Sequence, residues 1–218
     1  MAVKILTLSN KPNLLKEARA SVKAQTRKAT HVVMVDKGRD WEGRYPPAVY
    51  YNEAAQACGM GDYISWLSDD DLLMPNYVET LAGYLDDHPD AGACYGFSEH
   101  WIYDAEGMGR KYRILPPDGI CHTFAVGGID PLGVIDGGQF MVRRSVLDAV
   151  GYPYVPENSE PSIARLSDGL LMRRIAACCG IVPVGPIFIL QNRTNPWSSH
   201  CIPSSNGGID AADWRRVR

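Results

Sequence analysis

The sequence predicts an α/β protein with a mostly parallel central sheet flanked by helices. Short apolar runs of strand length alternate with longer segments that carry apolar residues at helical spacing, which is typical of this class. The 218 residues are 45% hydrophobic and 22% charged, enough for a substantial core. No internal repeat or low-complexity linker divides the chain, so we expect a single domain.

The chain opens with a β-α-β pattern. Residues 3–8 form an apolar run of strand type, and residues 14–25, after a group of turn formers, carry the apolar stripe of an amphipathic helix. A second strand is predicted over residues 31–35. This order predicts parallel neighbours joined by a right-handed crossover. Ligands of such sheets gather at the carboxyl ends of the strands, where Thr7 and Asp36 lie.

A third apolar run, residues 63–67, leads into three consecutive carboxylates. In an extended chain successive side chains alternate faces, so Asp69 and Asp71 would share one side and Asp70 the other. Neighbouring carboxylates repel one another unless a cation lies between them, and a divalent metal carrying a polyphosphate is a common solution. Helix capping is the alternative, but Pro75 marks the next helix start four residues after Asp71, too far for an N-cap.

The rest of the chain is less regular, especially between residues 96 and 135. Further strands are predicted over residues 91–95, 100–103, 111–115, 137–142 and 181–190. Further helices are predicted over residues 50–57, 75–86, 145–150 and 170–179. The glycine pair at 137–138 is either a turn of close backbone approach or simply the start of a strand.

The composition limits the function classes. A formal charge of −3 at pH 7 argues against a protein whose main task is to coat nucleic acid. No apolar run approaches the roughly 20 residues that span a bilayer. Residues 1–6 lack the charged, apolar and cleavage regions of a signal peptide. We therefore expect a cytoplasmic protein whose six scattered cysteines are thiols.

Three sequence blocks carry a family resemblance. They are TLSN, SVKAQT and VMVD at residues 7–10, 21–26 and 33–36, then GDYISWLSDDD at 61–71, then RLSD at 165–168. In this order they resemble the family-2 glycosyltransferases, inverting nucleotide-sugar enzymes of the GT-A fold. The resemblance covers roughly residues 3 to 190.

The resemblance implies a single Rossmann-like GT-A domain with a nucleotide sugar over the carboxyl edge. It implies a nucleotide-sugar-binding half over about residues 1–95, an acceptor half over about 96–190, and a mobile C-terminal segment over 191–218. The implied donor contacts are Thr7, Asp36, Asp69 and Asp70. The implied ligands of Mn²⁺ or Mg²⁺ are Asp69, Asp71 and His200. Asp168, at the start of a later helix, is the implied general base.

Several of these residues have plainer interpretations. Asp168 also suits an N-cap, and a helix start would favour its charged form and lower its basicity. Asp36 could simply end a strand, since Lys37 stands where relatives often carry a second acidic residue. Arg44 could contact a donor phosphate or serve solubility alone. His200 could be an ordinary loop histidine.

The expected function is metal-dependent, inverting transfer of a sugar from a nucleotide sugar to an acceptor hydroxyl. UDP-linked donors are the commonest in the family. The acceptor could be a glycan, a small molecule, a protein or a modified nucleic-acid base. One alternative is a degenerate relative that binds a nucleotide or glycan without turnover. The other is a sugar nucleotidyltransferase, although residues 9–13 lack the glycines that such enzymes usually carry after the first strand.

Overall fold

The computed structural model describes residues 1–9, 12–35, 46–103, 109–151 and 167–194. Its strands are β1 Val3–Ser9, β2 Thr30–Val35, β3 Tyr63–Trp66, β4 Leu72–Leu73, β5 Ala93–Tyr103, β6 Gly109–Leu115, β7 Phe140–Arg143 and β8 Val182–Thr194. Its helices are α1 Pro12–Lys23, α2 Pro46–Gln56, α3 Tyr77–Asp87, α4 Arg144–Val150 and α5 Ser167–Cys179. A short 3₁₀ turn, Gly137–Gln139, precedes β7. In this part of the chain no helix is long and apolar enough to cross a bilayer.

The strands form one sheet in the order β2-β1-β3-β7-β5-β8-β4, with β6 paired to β5. The predicted α/β class is confirmed, and the parallel β-α-β opening is found in β2, β1 and β3. The sheet as a whole is mixed, because β7 runs antiparallel to both of its neighbours. The chain therefore enters β7 at the edge where β3 ends. This topology brings the 3₁₀ turn beside the acidic residues that follow β3.

Apolar side chains cover both faces of the sheet. On one face α2, α4 and α5 pack against a cluster that contains Ile64 and Trp66. On the other face α1 and α3 pack against a cluster that contains Tyr63 and Leu67. All four residues of β3 are buried because helices cover the strand on both sides. The polar residues after β3 mark the point where the chain leaves this core.

The last strand differs from its prediction. A strand was predicted over residues 181–190, whereas β8 continues over 13 residues beside β5 although it contains Pro183 and Pro186. The parallel pairing skips from Tyr95 opposite Pro183 to Phe97 opposite Phe188, so the proline-containing stretch bulges from the ladder. Gly96 lies opposite the bulge, where a Cβ would stand 2.9 Å from the Ile187 carbonyl oxygen. The bulge allows β8 to reach the acidic turn.

Residues at the end of α1 form hydrogen bonds with the segment that follows the acidic residues. The Gln25 amide donates to the Met74 carbonyl at 2.9 Å and to the Ser21 carbonyl at 3.0 Å. Its Oε1 accepts the Val78 N–H at 3.0 Å, at the start of α3. The Ser21 hydroxyl accepts the Leu73 N–H at 3.2 Å. The SVKAQT block therefore serves as a clamp on the segment that leads out of the acidic residues.

We expect Gln25→Ala to lower the free energy of unfolding by about 1–2 kcal/mol, since each net hydrogen bond contributes about 1 kcal/mol. Urea denaturation measures the change. Lys28→Ala, at an exposed position just after the helix, is the control and should stay within about 0.5 kcal/mol of the parent. Equal stability of Gln25→Ala and the parent would show that the clamp contributes nothing.

Candidate active site

The acidic residues after β3 form a turn. The Asp71 N–H donates to the Ser68 carbonyl oxygen at 3.2 Å, so residues 68–71 are not extended. The expectation that Asp69 and Asp71 share one side of an extended strand is therefore wrong. The reason is tertiary, because Leu72 and Leu73 pair antiparallel with β8 and the chain must change direction to reach that strand.

The two outer carboxylates of this acidic turn (residues 68–71) have different partners. Asp69 is buried, and its Oδ2 accepts the Ser9 hydroxyl at 3.0 Å, at the end of β1. Asp71 is 2% exposed. Its Oδ1 accepts the Arg193 N–H at 2.8 Å and its Oδ2 accepts the Asn192 side-chain amide at 3.2 Å. The turn is thus held between β1 and β8.

Asp71 carries its negative charge at high cost. Burial raises its pKa well above the ordinary value, and the charges of Asp70 and Asp136 raise the pKa further. The Arg193 N–H and guanidinium oppose this shift. An added cation at this turn would relieve the repulsion of Asp71 by Asp70 and Asp136.

Arg193 is the cation already at the turn. Its Nε donates to the Asp70 carbonyl oxygen at 2.7 Å, and its Nη1 pairs with Glu17 on α1. Its side chain is 14% exposed. Arg193 therefore joins β8, the acidic turn and α1, and it brings a positive charge to the carboxyl edge.

Asp168 lies in the first turn of α5, one residue after the helix start. Gly169 N–H donates to its Oδ1 at 2.9 Å, and the Gly137 N–H also donates to the carboxylate. Desolvation is the larger cause that raises its pKa to about 6, and the charge of Asp136 is the second. The helix-start argument predicted a more acidic group and is wrong here, because desolvation outweighs the favourable hydrogen bonds.

The 3₁₀ turn contacts Asp168 directly. A Cβ on Gly137 would lie 3.1 Å from both the Cβ and Oδ2 of Asp168. Of the two interpretations of the glycine pair, close approach is the one that the structure supports. The turn also reaches the end of β3, since a Cβ on Gly138 would lie 3.6 Å from the Trp66 carbonyl oxygen. Asp168 and the acidic turn therefore lie at the same edge of the sheet.

Thr7 is less available than expected. It is fully buried, and its hydroxyl lies 2.9 Å from Nε2 of His31 on β2. Burial, with a smaller contribution from the Arg19 charge, lowers the pKa of His31 to about 4, so the imidazole is neutral at pH 7. The donor contact of Thr7 stays a prediction. Asp36, Arg44 and His200 lie outside the described residues.

The donor atoms at the turn suit a hard divalent cation, which prefers carboxylate oxygens. Within the described ranges, however, no three histidine, cysteine or acidic side chains converge as a metal site. Asp69 and Asp71 diverge toward Ser9 and β8. The ligand type fits Mn²⁺ or Mg²⁺, and the described residues do not complete a coordination shell.

Sequence reasoning missed four residues of this site, namely Ser9, Asp136, Asn192 and Arg193. Arg193 and Asp71 are 122 positions apart, and no local pattern connects them. Two of the four had a usable signal, because Asp136 directly precedes the glycine pair that was already singled out and Ser9 lies within the TLSN block. Asn192 and Arg193 are ordinary polar residues near a strand end.

Asp168 should make stability depend on pH. The folded-state pKa of about 6 is above the ordinary 3.8, so its contribution is fully present below 3.8 and is lost as pH rises toward 6. We expect Asp168→Asn to match the parent near pH 4 and to exceed its stability at pH 7 by up to about 3 kcal/mol. Thermal melts of both proteins at several pH values measure the difference. A difference that does not grow between pH 4 and pH 6 would contradict the raised pKa.

Comparison with known proteins identifies relatives by sequence. No family model matches the chain. An uncharacterized glycosyltransferase of Rickettsia conorii is 29% identical over 136 residues, which cover 53% of this chain and 22% of that protein. One from Rickettsia felis is 29% identical over 170 residues, covering 67% of this chain and 27% of that protein. The chain thus spans about a quarter of the length of these relatives.

Solved structures show the fold. Residues 1–349 of S. aureus TarS superpose with a TM-score of 0.64 at 12% identity, covering 88% of this chain and 60% of that one. The fold is GT-A. Structures of TarS 1–349 with UDP and with UDP-GlcNAc both give a TM-score of 0.60, at 12% and 11% identity. They cover 90% and 89% of this chain, and 61% and 59% of TarS 1–349. On this GT-A domain, the acidic turn and Asp168 occupy the carboxyl edge of the first parallel strands.

Proposed function

We propose that this GT-A domain is a glycosyltransferase that moves a sugar from a UDP-linked donor to an acceptor hydroxyl with inversion. The observation that carries the proposal is a carboxyl group with a pKa of about 6, Asp168, at the same sheet edge as the acidic turn. The similarity to proteins named glycosyltransferases supports the reaction class. The TarS complexes with UDP and UDP-GlcNAc support the choice of nucleotide.

Asp168 acts as the general base in this proposal. With a pKa of about 6 it is mostly ionised at pH 7, yet it is a stronger base than an ordinary aspartate. It accepts the proton of the acceptor hydroxyl while that oxygen forms a bond to the anomeric carbon of the sugar. The bond from that carbon to the diphosphate oxygen breaks, and the electron pair leaves with the nucleoside diphosphate. Inversion follows because attack and departure take place on opposite faces of the sugar.

The acidic turn and Arg193 serve the donor side. Arg193 supplies positive charge near the departing diphosphate, where negative charge develops. The proposed donor contacts are Thr7, Asp36, Arg44, Asp69 and Asp70. The proposed ligands of Mn²⁺ or Mg²⁺ are Asp69, Asp71 and His200. When bound, the metal would neutralise charge on the diphosphate.

Donor binding can be tested without knowing the acceptor. We expect UDP-sugars with Mn²⁺ to raise the melting temperature more than GDP- or ADP-sugars do. A ligand at 100 times its Kd stabilises the native state by about 2.7 kcal/mol. Slow release of UDP from the stabilising donor would then report hydrolysis. If no nucleotide sugar shifts the melting temperature with or without metal, the proposed function is wrong.

A second candidate function is binding without turnover. Both carboxylate oxygens of Asp71 already accept hydrogen bonds from β8, and the described acidic residues do not converge on a metal position. A module that holds a nucleotide sugar without cleaving it fits this arrangement. In the same assay it would show the thermal shift with UDP-sugars but no release of UDP, whereas the glycosyltransferase would show both.

A further inference from the structure

We propose that Asp136 is a positioning residue for Asp168. Asp136 fixes the turn against which the Asp168 carboxylate packs, and it places a second negative charge beside that carboxylate. The role of Asp168 as the base rests on the function proposed above. The role of Asp136 toward Asp168 stands on the contacts within the fold.

Asp136 closes the 3₁₀ turn from its N-terminal side. Its Oδ1 accepts the Gly138 N–H at 3.1 Å. Its own N–H donates to Oε1 of Gln139 at 2.7 Å, which completes a reciprocal capping box. Both ends of the turn are therefore tied to each other, and Gly137 is held between them.

Gln139 anchors this turn to the sheet. Its side chain is fully buried, and Nε2 donates to the Gly96 carbonyl at 2.8 Å and to the Leu115 carbonyl at 3.0 Å. The bonded groups belong to β5 and to the end of β6. The turn consequently has a set position relative to the central strands, and Asp136 shares that position through the capping box.

Asp168 rests on the anchored turn. The Gly137 N–H donates to its carboxylate, and a Cβ on Gly137 would lie only 3.1 Å from Oδ2 of Asp168, so the backbone and the carboxylate are in close contact. A rigid Gly137 therefore determines where the Asp168 oxygens lie. The chain of contacts runs from Asp136 through Gly137 to the proposed base, with no long flexible side chain in between.

The charge of Asp136 also raises the pKa of Asp168. The described arginines of α4 and α5 have partners other than Asp168. Arg173 on α5 faces Asp130 with Nε distances of 2.9 and 3.0 Å, and Arg144 on α4 pairs with Asp148. Arg174 donates to the Gly151 carbonyl at 3.2 Å. Among the residues that the structure describes, Asp136 is accordingly the charge that disfavours ionisation of Asp168, after desolvation.

Asp136→Asn removes the negative charge but keeps the cap, because asparagine is as good a capping residue as aspartate. We expect the variant to melt close to the parent, while the Asp168 carboxyl titrates at lower pH. Carbon-13 NMR of labelled aspartate follows this titration, and Asp168→Asn assigns the resonance by removing it. Asp118→Asn is the matched control. It removes an exposed carboxylate, which pairs with His122, from the same part of the chain. The control should leave the titration of Asp168 unchanged.

Activity gives a second readout. We expect the acidic limb of kcat/KM near pH 6 in the parent, and in Asp136→Asn it should move to lower pH as the pKa of Asp168 falls. The proposal would be overturned if the Asp168 titration and the acidic limb of kcat/KM were both identical to those of the parent. Asparagine preserves a purely structural cap, so that result would leave no role for the charge. If the asparagine variant fails to fold, Asp136→Ser keeps a cap oxygen without the charge and takes its place. The NMR titration needs no turnover, so failure of this inference is distinguishable from failure of the proposed function.

Discussion

An Asp168→Asn variant should bind UDP-sugars as the parent does and lose about 10²- to 10⁴-fold in kcat, the usual contribution of a general base. Asparagine keeps the shape of aspartate, and its amide oxygen can still accept the Gly169 N–H, but it cannot take a proton. Binding should survive because the proposed base acts on the acceptor hydroxyl and is not among the proposed donor contacts. Initial rates of UDP release at saturating donor measure kcat.

Asp130→Asn is the control for this experiment, since Asp130 contacts α5 through Arg173 without touching Asp168. We expect the control to keep most of the parent kcat. Full activity of Asp168→Asn would remove Asp168 as the base. Loss of donor binding in the same variant would instead place it on the donor side.

Asp71→Asn should abolish the thermal shift caused by UDP-sugar with Mn²⁺, and with it all turnover. The substitution removes one charge from a turn whose carboxylates are proposed to hold the metal, while its amide oxygen can still accept the Arg193 N–H. The Asn192 amide can present its oxygen to the new amide, so the contact with β8 can be kept. The variant should therefore stay folded, and its own melting temperature without ligand provides the check.

Asp90→Asn, at an exposed position after α3, controls for the loss of one negative charge and should show the full UDP-sugar shift. A parent-like shift in Asp71→Asn would mean that this carboxylate serves only to bind β8. An equal shift in the parent with and without Mn²⁺ would argue against metal dependence and leave the donor assignment in place.

Local sequence patterns were sufficient for much of the architecture. Apolar runs and turn residues correctly indicated β1, α1 and β2, and the helix predicted over residues 75–86 corresponds to α3. These elements depend on periodicity and local breakers, which act over a few residues. The family resemblance added the GT-A fold, which the structural comparison confirms.

The candidate site was only partly predictable. The sequence located the acidic turn at the end of β3 and Asp168 at the start of α5. The relation between them depends on β7, which runs antiparallel to β3 and delivers the 3₁₀ turn to the carboxyl edge. Strand direction there is set by pairing across some 75 residues, and no local signal encodes it.

The sequence by itself determined which residues are acidic and, through local patterns, approximately where most strands and helices lie. Only the tertiary structure decided which carboxylates meet at one edge of the sheet and what those carboxylates do. Pairing of Leu72 and Leu73 with β8 turned an expected extended D-x-D into a turn clamped by Arg193. Burial beside Gly137 and Asp136 made Asp168 more basic, where the helix start alone would have made it more acidic. Desolvation and charge proximity depend on the packing of distant segments, and they determine the chemistry of this edge.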